Sequence, residues 1–564
     1  MVAIASYAEL IAYFALLLGL TPVLGIYLAR VFLEQPVFLS RLVNPLERII
    51  YRLSFIDPKE EMPWKKYAMS LVIFSLGGFI SLFLLLIGQS LLPLNPQAFN
   101  NLSWALAFNT AISFVTNTNW QAYSGESTLS YFSQMVGLSV QNFLSAAAGM
   151  AVMLAFFRGL TRSKSKVIGN FWVDLVRSIL YVLLPLSLIL ALLLVSQGVM
   201  QNWSPYITAT TLEGDTQTIP MGPAASQIAI KQLGTNGGGY FGSNSAHTLE
   251  NPTGLANFLQ ALAILLLPSA LVYCFGLMTG ARQHALLIYL LMLGLMLSSL
   301  TISWWSETLP NQSLGIIGSL EGKELRIGSN NSILWAIITT ATSNGSVNAM
   351  LDSLSPLAGG LALVQILLGE VVFGGVGSGL YGMILFVMLT VFLAGLMVGR
   401  TPEYFGKKIE VIEIQMVLVG LILPSMVVLI GAGCSVVWPI ALKSLNNSGP
   451  HGLTEMLYAW GSAANNNGSA FGGLNANTDY FNIGLGIAML IGRFGVMIPV
   501  LAIAGSLASK ASVPPSSATL ATDTPVFFVL LLFVIIIIGA LTFFPCLVLG
   551  PIVEHFLMLS GRQF

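Results

Sequence analysis

The feature that most constrains this chain is a succession of apolar runs, each about 20 residues long, the length needed to cross a hydrocarbon core about 30 Å thick. The runs centre near residues 18, 80, 145, 183, 268, 293, 385, 427, 495 and 535. Lipid offers no partner to a backbone amide, so only helices or closed barrels can span it. An all-α polytopic membrane protein of about ten transmembrane helices is therefore expected. Composition agrees: 8% of residues are charged and 55% hydrophobic, against about a quarter charged in soluble domains. A soluble globule is excluded. The run from Ile11 to Tyr27 has no basic segment before it and no small-residue cleavage site before Arg30, so it reads as a retained first span.

Lys plus Arg and Asp plus Glu balance at 23 each, so no net field recruits nucleic acid, and the partner implied by composition is the lipid bilayer. The distribution of the cations is lopsided. Loops after the odd-numbered spans hold Arg30, Arg41, Arg48, Arg52, Lys59, Lys65 and Lys66, then Arg158, Arg162, Lys164, Lys166 and Arg177, then Arg282, Arg400, Lys407, Lys408 and Lys510. The other side holds only Lys231, Lys323, Arg326, Lys443 and Arg562, and Arg493 falls inside the ninth span. Basic loops stay cytoplasmic, so both termini are expected to be extracytoplasmic.

Each loop on the poorly charged side contains a short semi-apolar segment followed by a small polar cluster. The four read SWALAFNTAISFVTNTNWQ from Ser103, SQIAIKQLGTNGGGYFG from Ser226, SILWAIITTATSNGSVN from Ser332 and EMLYAWGSAANNNGSAFGG from Glu455. Aligned on their polar cores they give Asn117-Thr118-Asn119, Thr235-Asn236-Gly237, Ser343-Asn344-Gly345 and Asn466-Asn467-Gly468. One such cluster alone is an ordinary turn; four at matching positions are a repeat of span, half-helix, polar cluster and span. The repeats run parallel, dividing the chain into a first span and loop (1–66), repeats at 67–166, 167–283, 284–410 and 411–511, and a final span with an outer tail (512–564).

Irregular backbone at membrane depth is tolerated only where it is buried in protein or lines an aqueous cavity, so the four clusters are expected to converge on a pseudo-fourfold axis. A half-helix ending there aims the negative end of its dipole at the site, and glycine lets carbonyls turn inward to replace an ion's water. No core contains Asp or Glu, whereas Ca²⁺ and Mg²⁺ sites depend on carboxylates. The pattern points to a weakly hydrated monovalent cation.

At these residues the chain resembles the superfamily of potassium transporters built from four helix-pore-helix units, and more closely the potassium-binding A subunits of bacterial Kdp ATP-driven importers. The strings that carry the resemblance are FVTNTNWQAYSGE from Phe114, YFSQMVGLSVQNFLSAAAG from Tyr131, LGTNGGGYFGSNSAH from Leu233, GEVVFGGVGSGLYGM from Gly369, GRTPEYFGKKIEV from Gly399 and SAANNNGSAF from Ser462, and the likeness covers essentially the whole chain. It implies a K⁺ filter lined by the twelve aligned residues, largely through backbone carbonyls, with Gln121 beside it. It also implies a bacterial plasma-membrane location, a separate P-type ATPase B subunit and small C and F subunits. Two departures stand out: Asn344 occupies a position held by cysteine in a familiar member, and the first repeat has Asn119 where the others have glycine. The TVGYG string of tetrameric channels is absent, so one dominant ion site is expected rather than several in series.

An importer needs energy, yet the sequence has no GxxxxGK[ST] and no DKTG, and its longest cytoplasmic segment, from Leu33 to Lys66, is too short for a nucleotide-binding domain. ATP would be used by the partner, and K⁺ is the transported ion with no other cofactor expected. A self-sufficient channel-like transporter remains the alternative. An intramembrane enzyme would need paired acid/base groups at depth, and only Glu370 and Arg493 qualify. These two are expected to pair or to face an aqueous path.

The seventh span, from Ala362, is dense in glycine at Gly374, Gly375, Gly377, Gly379 and Gly382, which suggests a broken helix and a gate, with small-residue packing the simpler alternative. Arg400 opens a basic segment that reads as anchoring or as a contact with the ATPase partner. Cys274, Cys434 and Cys546 read as packing residues, and His247, His284, His451 and His555 lack ligand spacing, so they carry no metal assignment.

Overall fold

The computed structural model describes residues 2–312, 315–514 and 519–562; residues 515–518 and 563–564 of the expected last segment lie outside that range. Among the described residues, 10 helices are long and apolar enough to span a membrane, running from Ala8–Phe32 to Pro525–Leu559. Every centre expected from sequence falls inside one of them.

Between these helices lie four short ones: Trp104–Val115, Ala224–Leu233, Ser329–Ala341 and Gly449–Ala464, of 12, 10, 13 and 16 residues. None reaches the length of about 20 residues needed to cross. Each follows one span and precedes another, so the unit is span, half-helix and span.

The two spans of a unit differ in burial. The first of each pair (spans two, four, six and eight) is 22, 44, 39 and 33% buried over its most apolar window, and the second (three, five, seven and nine) 83, 78, 67 and 56%. The second spans are therefore the inner wall, and the first spans face outward with apolar side chains that suit lipid. Spans one and ten, each 22% buried, are peripheral additions. The ninth span packs on the third span and on the first half-helix, which joins the last repeat to the first and closes the array.

Two expectations need correction. Lys231 and Lys323 are not solvent-facing loop cations: Lys231 lies in the second half-helix, fully buried against Glu250, and Lys323, in the loop before the third half-helix, is buried and pairs with Glu307 at 3.0 Å. A buried cation persists only when paired, and the pairing leaves this side with still less positive charge than the sequence suggested. Cys274 is buried and Cys546 is half-buried against the core, but Cys434 is exposed, so core packing does not describe Cys434.

The segment after the first span contains an amphipathic helix, Ser40–Leu53, that the apolar runs did not reveal. Leu42, Leu46, Ile49 and Leu53 are exposed along it, while Val43, Glu47 and Tyr51 face the protein. Glu47 fixes the helix to the fourth span, where Arg177 Nε lies 2.9 Å from Oε1 and Tyr181 Oη donates to Oε2 at 2.7 Å. Tyr51 Oη donates to Oε1 at 2.8 Å. Burial opposes ionisation of Glu47, but the hydrogen bonds from Tyr181 and Tyr51 and the Arg177 charge outweigh it and hold the carboxyl below its usual range.

Since the folded-state value is depressed, the contribution of Glu47 is present above the unfolded carboxylate value of about 4.3 and is lost as pH falls through the folded value. Glu47→Ala, which removes the hydrogen-bond partner of Tyr51, Tyr181 and Arg177 but leaves Arg177 its second carboxylate, Glu34 at 3.3 Å, should cost about 1–3 kcal/mol, and Glu47→Gln less. Thermal unfolding in detergent at neutral pH and at acid pH checks both, with the difference between wild type and variant shrinking in acid.

Candidate ion-binding site

Each half-helix ends directly before one polar triplet, and the four triplets share one backbone conformation. The first and third residues have positive φ: 60° and 57° at Asn117 and Asn119, 47° and 79° at Thr235 and Gly237, 48° and 91° at Ser343 and Gly345, 50° and 89° at Asn466 and Gly468. A left-handed residue costs an ordinary L side chain roughly 1–2 kcal/mol, and asparagine and glycine tolerate it best. Alternating handedness along an extended strand turns successive carbonyls to the same side, the arrangement a cation filter requires.

The anchoring is repeated as well. Thr118 N–H donates to Ser113 O at 2.9 Å, Asn236 to Lys231 O at 2.8 Å, Asn344 to Thr339 O at 3.0 Å and Asn467 to Ser462 O at 2.8 Å. The N–H of the third residue returns to the same anchor: to the carbonyl of Ser113 and Lys231, and to the hydroxyl of Thr339 and Ser462. The N–H groups of the second and third triplet residues are thus directed back into the half-helices, while two triplet carbonyls already accept side-chain amides, Thr235 O from Asn117 Nδ2 at 3.0 Å and Gly237 O from Asn244 Nδ2 at 2.9 Å.

The triplets interlock in a ring. A Cβ on Gly237 would collide with Asn344 O, one on Gly345 with Asn467 O, and one on Gly468 with Thr118 O. Each glycine thus receives the central carbonyl of the neighbouring repeat. The first repeat has Asn119 instead, and the space for its Cβ comes from Gly238 next door, whose own Cβ would lie 2.8 Å away.

Side chains complete the ring. Asn344 Nδ2 donates to Lys231 O at 3.1 Å and Asn467 Nδ2 to Thr339 O at 3.2 Å, each reaching the anchor of the preceding repeat. Asn344 therefore does for the third repeat what Asn467 does for the fourth, a polar brace that cysteine could not supply. Asn117 Nδ2 donates to Thr235 O at 3.0 Å, and Asn466 Nδ2 donates to Thr118 Oγ1 at 2.8 Å. Gln121 exchanges two hydrogen bonds with Gly239, Nε2 to O at 3.2 Å and N–H to Oε1 at 2.8 Å, and so ties the first two repeats just beyond their triplets.

Several residues in this framework were not singled out from sequence. Ser145 Oγ of the third span donates to Asn117 Oδ1 at 2.8 Å, and Asn119 Nδ2 donates to Asn142 Oδ1 at 2.7 Å. Lys231 Nζ, behind the second triplet, donates to Asn244 Oδ1 at 2.8 Å and pairs with Glu250. The anchors Ser113, Lys231, Thr339 and Ser462 all stand five residues before the central triplet residue, a constant offset that the aligned sequences contain.

The seventh span is broken, as its glycines suggest. Helix Pro356–Leu367 stops, an irregular loop follows, and helix Ser378–Val398 resumes. Positive φ at Gly369, Phe373, Gly374 and Gly377 builds the loop. It is pressed against the site: Val376 N–H donates to Thr235 Oγ1 at 2.8 Å and Gly374 N–H to Ala341 O at 3.0 Å. Side chains are excluded at Gly375, where a Cβ would lie 2.6 Å from Ser378 Oγ, at Gly377, 2.5 Å from Gly149 O, and at Gly379, which abuts Phe373 O. Glu370 Oε1 lies 3.8 Å from Arg493 Nη1, so the two ionisable groups at depth face each other. A cavity of about 70 Å³ is lined by Glu370, Arg493, Ser378 and Asn466, and therefore reaches from the triplet of the fourth repeat to the broken helix. Arg400 is not part of this assembly; it is exposed beyond the far end of helix Ser378–Val398.

Gly345→Ala should weaken ion binding by about tenfold or more, since the left-handed cost alone is about 1–2 kcal/mol and about 1.4 kcal/mol is tenfold. The collision with Asn467 O adds to that cost. Ion titration of the purified variant, with competing Na⁺, checks both affinity and discrimination. Gly254→Ala, where nothing lies within 4 Å of the added Cβ, should change neither.

Comparison with known proteins gives the family. Residues 11–556 match the family described as the potassium-transporting ATPase A subunit. The potassium-transporting ATPase potassium-binding subunit of Leptospira interrogans serogroup Icterohaemorrhagiae serovar copenhageni is 54% identical over 563 residues, covering 100% of both chains. That of Pseudomonas aeruginosa is 54% identical over 551 residues, covering 97% of this chain and 98% of the relative. Among solved structures, the potassium transporter TrkH from Vibrio parahaemolyticus superposes with a TM-score of 0.53 at 12% identity, over 85% of this chain and 96% of its own; that likeness shows a shared fold. With its full-length match and its fourfold array of half-helices, the chain belongs to the potassium-transporting ATPase A subunit family.

Proposed function

We propose that this chain binds K⁺ and starts its translocation in an ATP-driven importer, as the potassium-binding subunit of a membrane complex whose energy comes from a P-type ATPase B subunit, with small C and F subunits. The observation that carries the reading is the closed ring of four triplets with alternating backbone handedness and no charged side chain.

A K⁺ ion entering the ring exchanges its water for neutral carbonyl oxygens of Asn117, Thr118, Asn119, Thr235, Asn236, Gly237, Ser343, Asn344, Gly345, Asn466, Asn467 and Gly468. Four half-helix carboxyl ends reinforce the negative potential, and anions are repelled. Interlocked glycines and amide braces hold the ring at one size, so a smaller, more strongly hydrated cation gains less than it loses on dehydration. Gln121 stiffens the entrance. The protein sits in the bacterial plasma membrane with both termini and the entrance on the outer side, a reading supported by the one-sided distribution of Lys and Arg.

Below the ring, the broken seventh span acts as the gate. Gly374, Gly375, Gly377 and Gly379 allow its loop to lie against the triplets, and Glu370 with Arg493 lines the small cavity leading away from Asn466. Arg400 and Lys408, both exposed, with Lys408 in the hairpin Glu403–Tyr404 paired with Lys407–Lys408, offer the ATPase subunit a basic docking point on the cytoplasmic side, whereas Lys407 is buried.

In a potassium-requiring host, this chain alone should give no K⁺ uptake, and co-expression with the ATPase subunit should restore uptake that depends on ATP hydrolysis. Uptake by the chain alone would sink the proposal and favour a self-sufficient transporter. For the gate, Glu370→Gln in the assembled complex should lower uptake at least about tenfold while shifting the apparent K⁺ affinity less than about threefold, the signature of a step after binding.

A further inference from the structure

On the side where the half-helices begin, opposite the basic loops, the fourth half-helix carries His451 in its first turn and Glu455 one turn on. The turn Leu351–Ser353, which precedes the broken seventh span, brings Asp352 to the same spot. A ring nitrogen of His451 and one carboxylate oxygen from each of Asp352 and Glu455 all lie within 4.8 Å of one another. His451 Nε2 meets Asp352 Oδ1 at 2.7 Å, and Nδ1 meets Glu554 Oε1 at 2.7 Å from the end of the last helix.

Glu455 is 1% exposed. Its Oε1 accepts a hydrogen bond from Asn447 Nδ2 at 2.6 Å, but its Oε2 has no hydrogen-bond partner among the described residues. An unpartnered carboxylate oxygen in a buried place costs several kcal/mol unless something positive reaches it. Three carboxylates (Asp352, Glu455 and Glu554) surround a single imidazole here, so these four side chains together carry net negative charge even with the ring protonated, and Arg562 lines the adjoining cavity. The nearby Lys323 is already paired with Glu307.

We infer that Asp352, His451 and Glu455 form a binding site for a divalent transition metal of the zinc class, separate from the K⁺ filter. One imidazole nitrogen and two carboxylate oxygens are a three-ligand set that Zn²⁺ accepts, with water in the fourth position. Ca²⁺ and Mg²⁺ favour sites made of oxygen alone. Glu554 has the place of the outer carboxylate that fixes the orientation of a metal-bound histidine through its other ring nitrogen. A tetrahedron with bonds of about 2.0 Å has ligand edges of about 3.3 Å, so the His451–Asp352 contact opens slightly when the ion enters. Asp352, His451, Glu554 and Asn447 line a cavity of about 700 Å³ on one side of the cluster, and Glu455 lines another of about 320 Å³.

The site would tie three separate pieces of chain together: the turn before the broken span, the amino end of the fourth half-helix and the end of the last helix. The half-helix bears Asn466–Gly468 at its other end, so occupancy would steady one wall of the filter.

The test uses the full-length chain in detergent, stripped with chelator, titrated with ZnCl₂ by calorimetry and then dialysed and assayed for retained metal. The wild type should retain one zinc per chain and unfold at a higher temperature with zinc than without. Glu455→Gln and Asp352→Asn should each abolish retention, and Glu554→Gln should weaken binding by about 10–100-fold. If Glu455→Gln fails to elute as a folded monomer, Asp352→Asn, at a partly exposed residue, decides the matter. Absence of retained zinc in the wild type, retention unaffected by both ligand variants, or a preference for Mg²⁺ over Zn²⁺ would each overturn the inference.

Discussion

Everything in this structure depends on where four stretches of non-helical backbone put their carbonyl groups. Inside a membrane an unpaired carbonyl is costly, and the ordinary remedy, a continued helix, is given up at each triplet. The N–H groups are returned to the half-helix anchors, and the central carbonyls of three repeats are turned toward the glycine of a neighbouring repeat. Four such segments can be stable only together, because each glycine position is filled by the central carbonyl of the next repeat. The inner spans are buried and the outer ones exposed because the inner ones enclose this ring.

Much of the architecture was legible in the sequence because the signals are thermodynamically strong. A run of about 20 apolar residues has few alternatives to a span, and all ten positions were recovered. The half-helices were readable because they are too short to span yet too apolar for a loop. The broken seventh span followed from glycine density, and its loop does interrupt the helix between Leu367 and Ser378.

Other features depend on partners far away in sequence. Lys231 looked like a loop cation because nothing near it announced Glu250 as a buried counter-charge. The helix Ser40–Leu53 escaped notice because its apolar residues are spread along one face rather than gathered in a run. His451 seemed isolated because its neighbours are Asp352, roughly a hundred residues earlier, and Glu554, about as far after. Only Glu455, one helical turn on, was within reach of a spacing argument.

The exchange at the first repeat has a consequence for ancestry and for design. Asn119 fits because the neighbouring repeat offers Gly238 beside it; at the corresponding place the first repeat itself has Trp120, and the third and fourth have Ser346 and Ser469. Four copies of the first repeat could not close a ring, since each Asn119 would meet a tryptophan. Duplication supplies four equal quarters, but once one joint is keyed differently the quarters are no longer interchangeable, and their order along a single covalent chain becomes part of the ring.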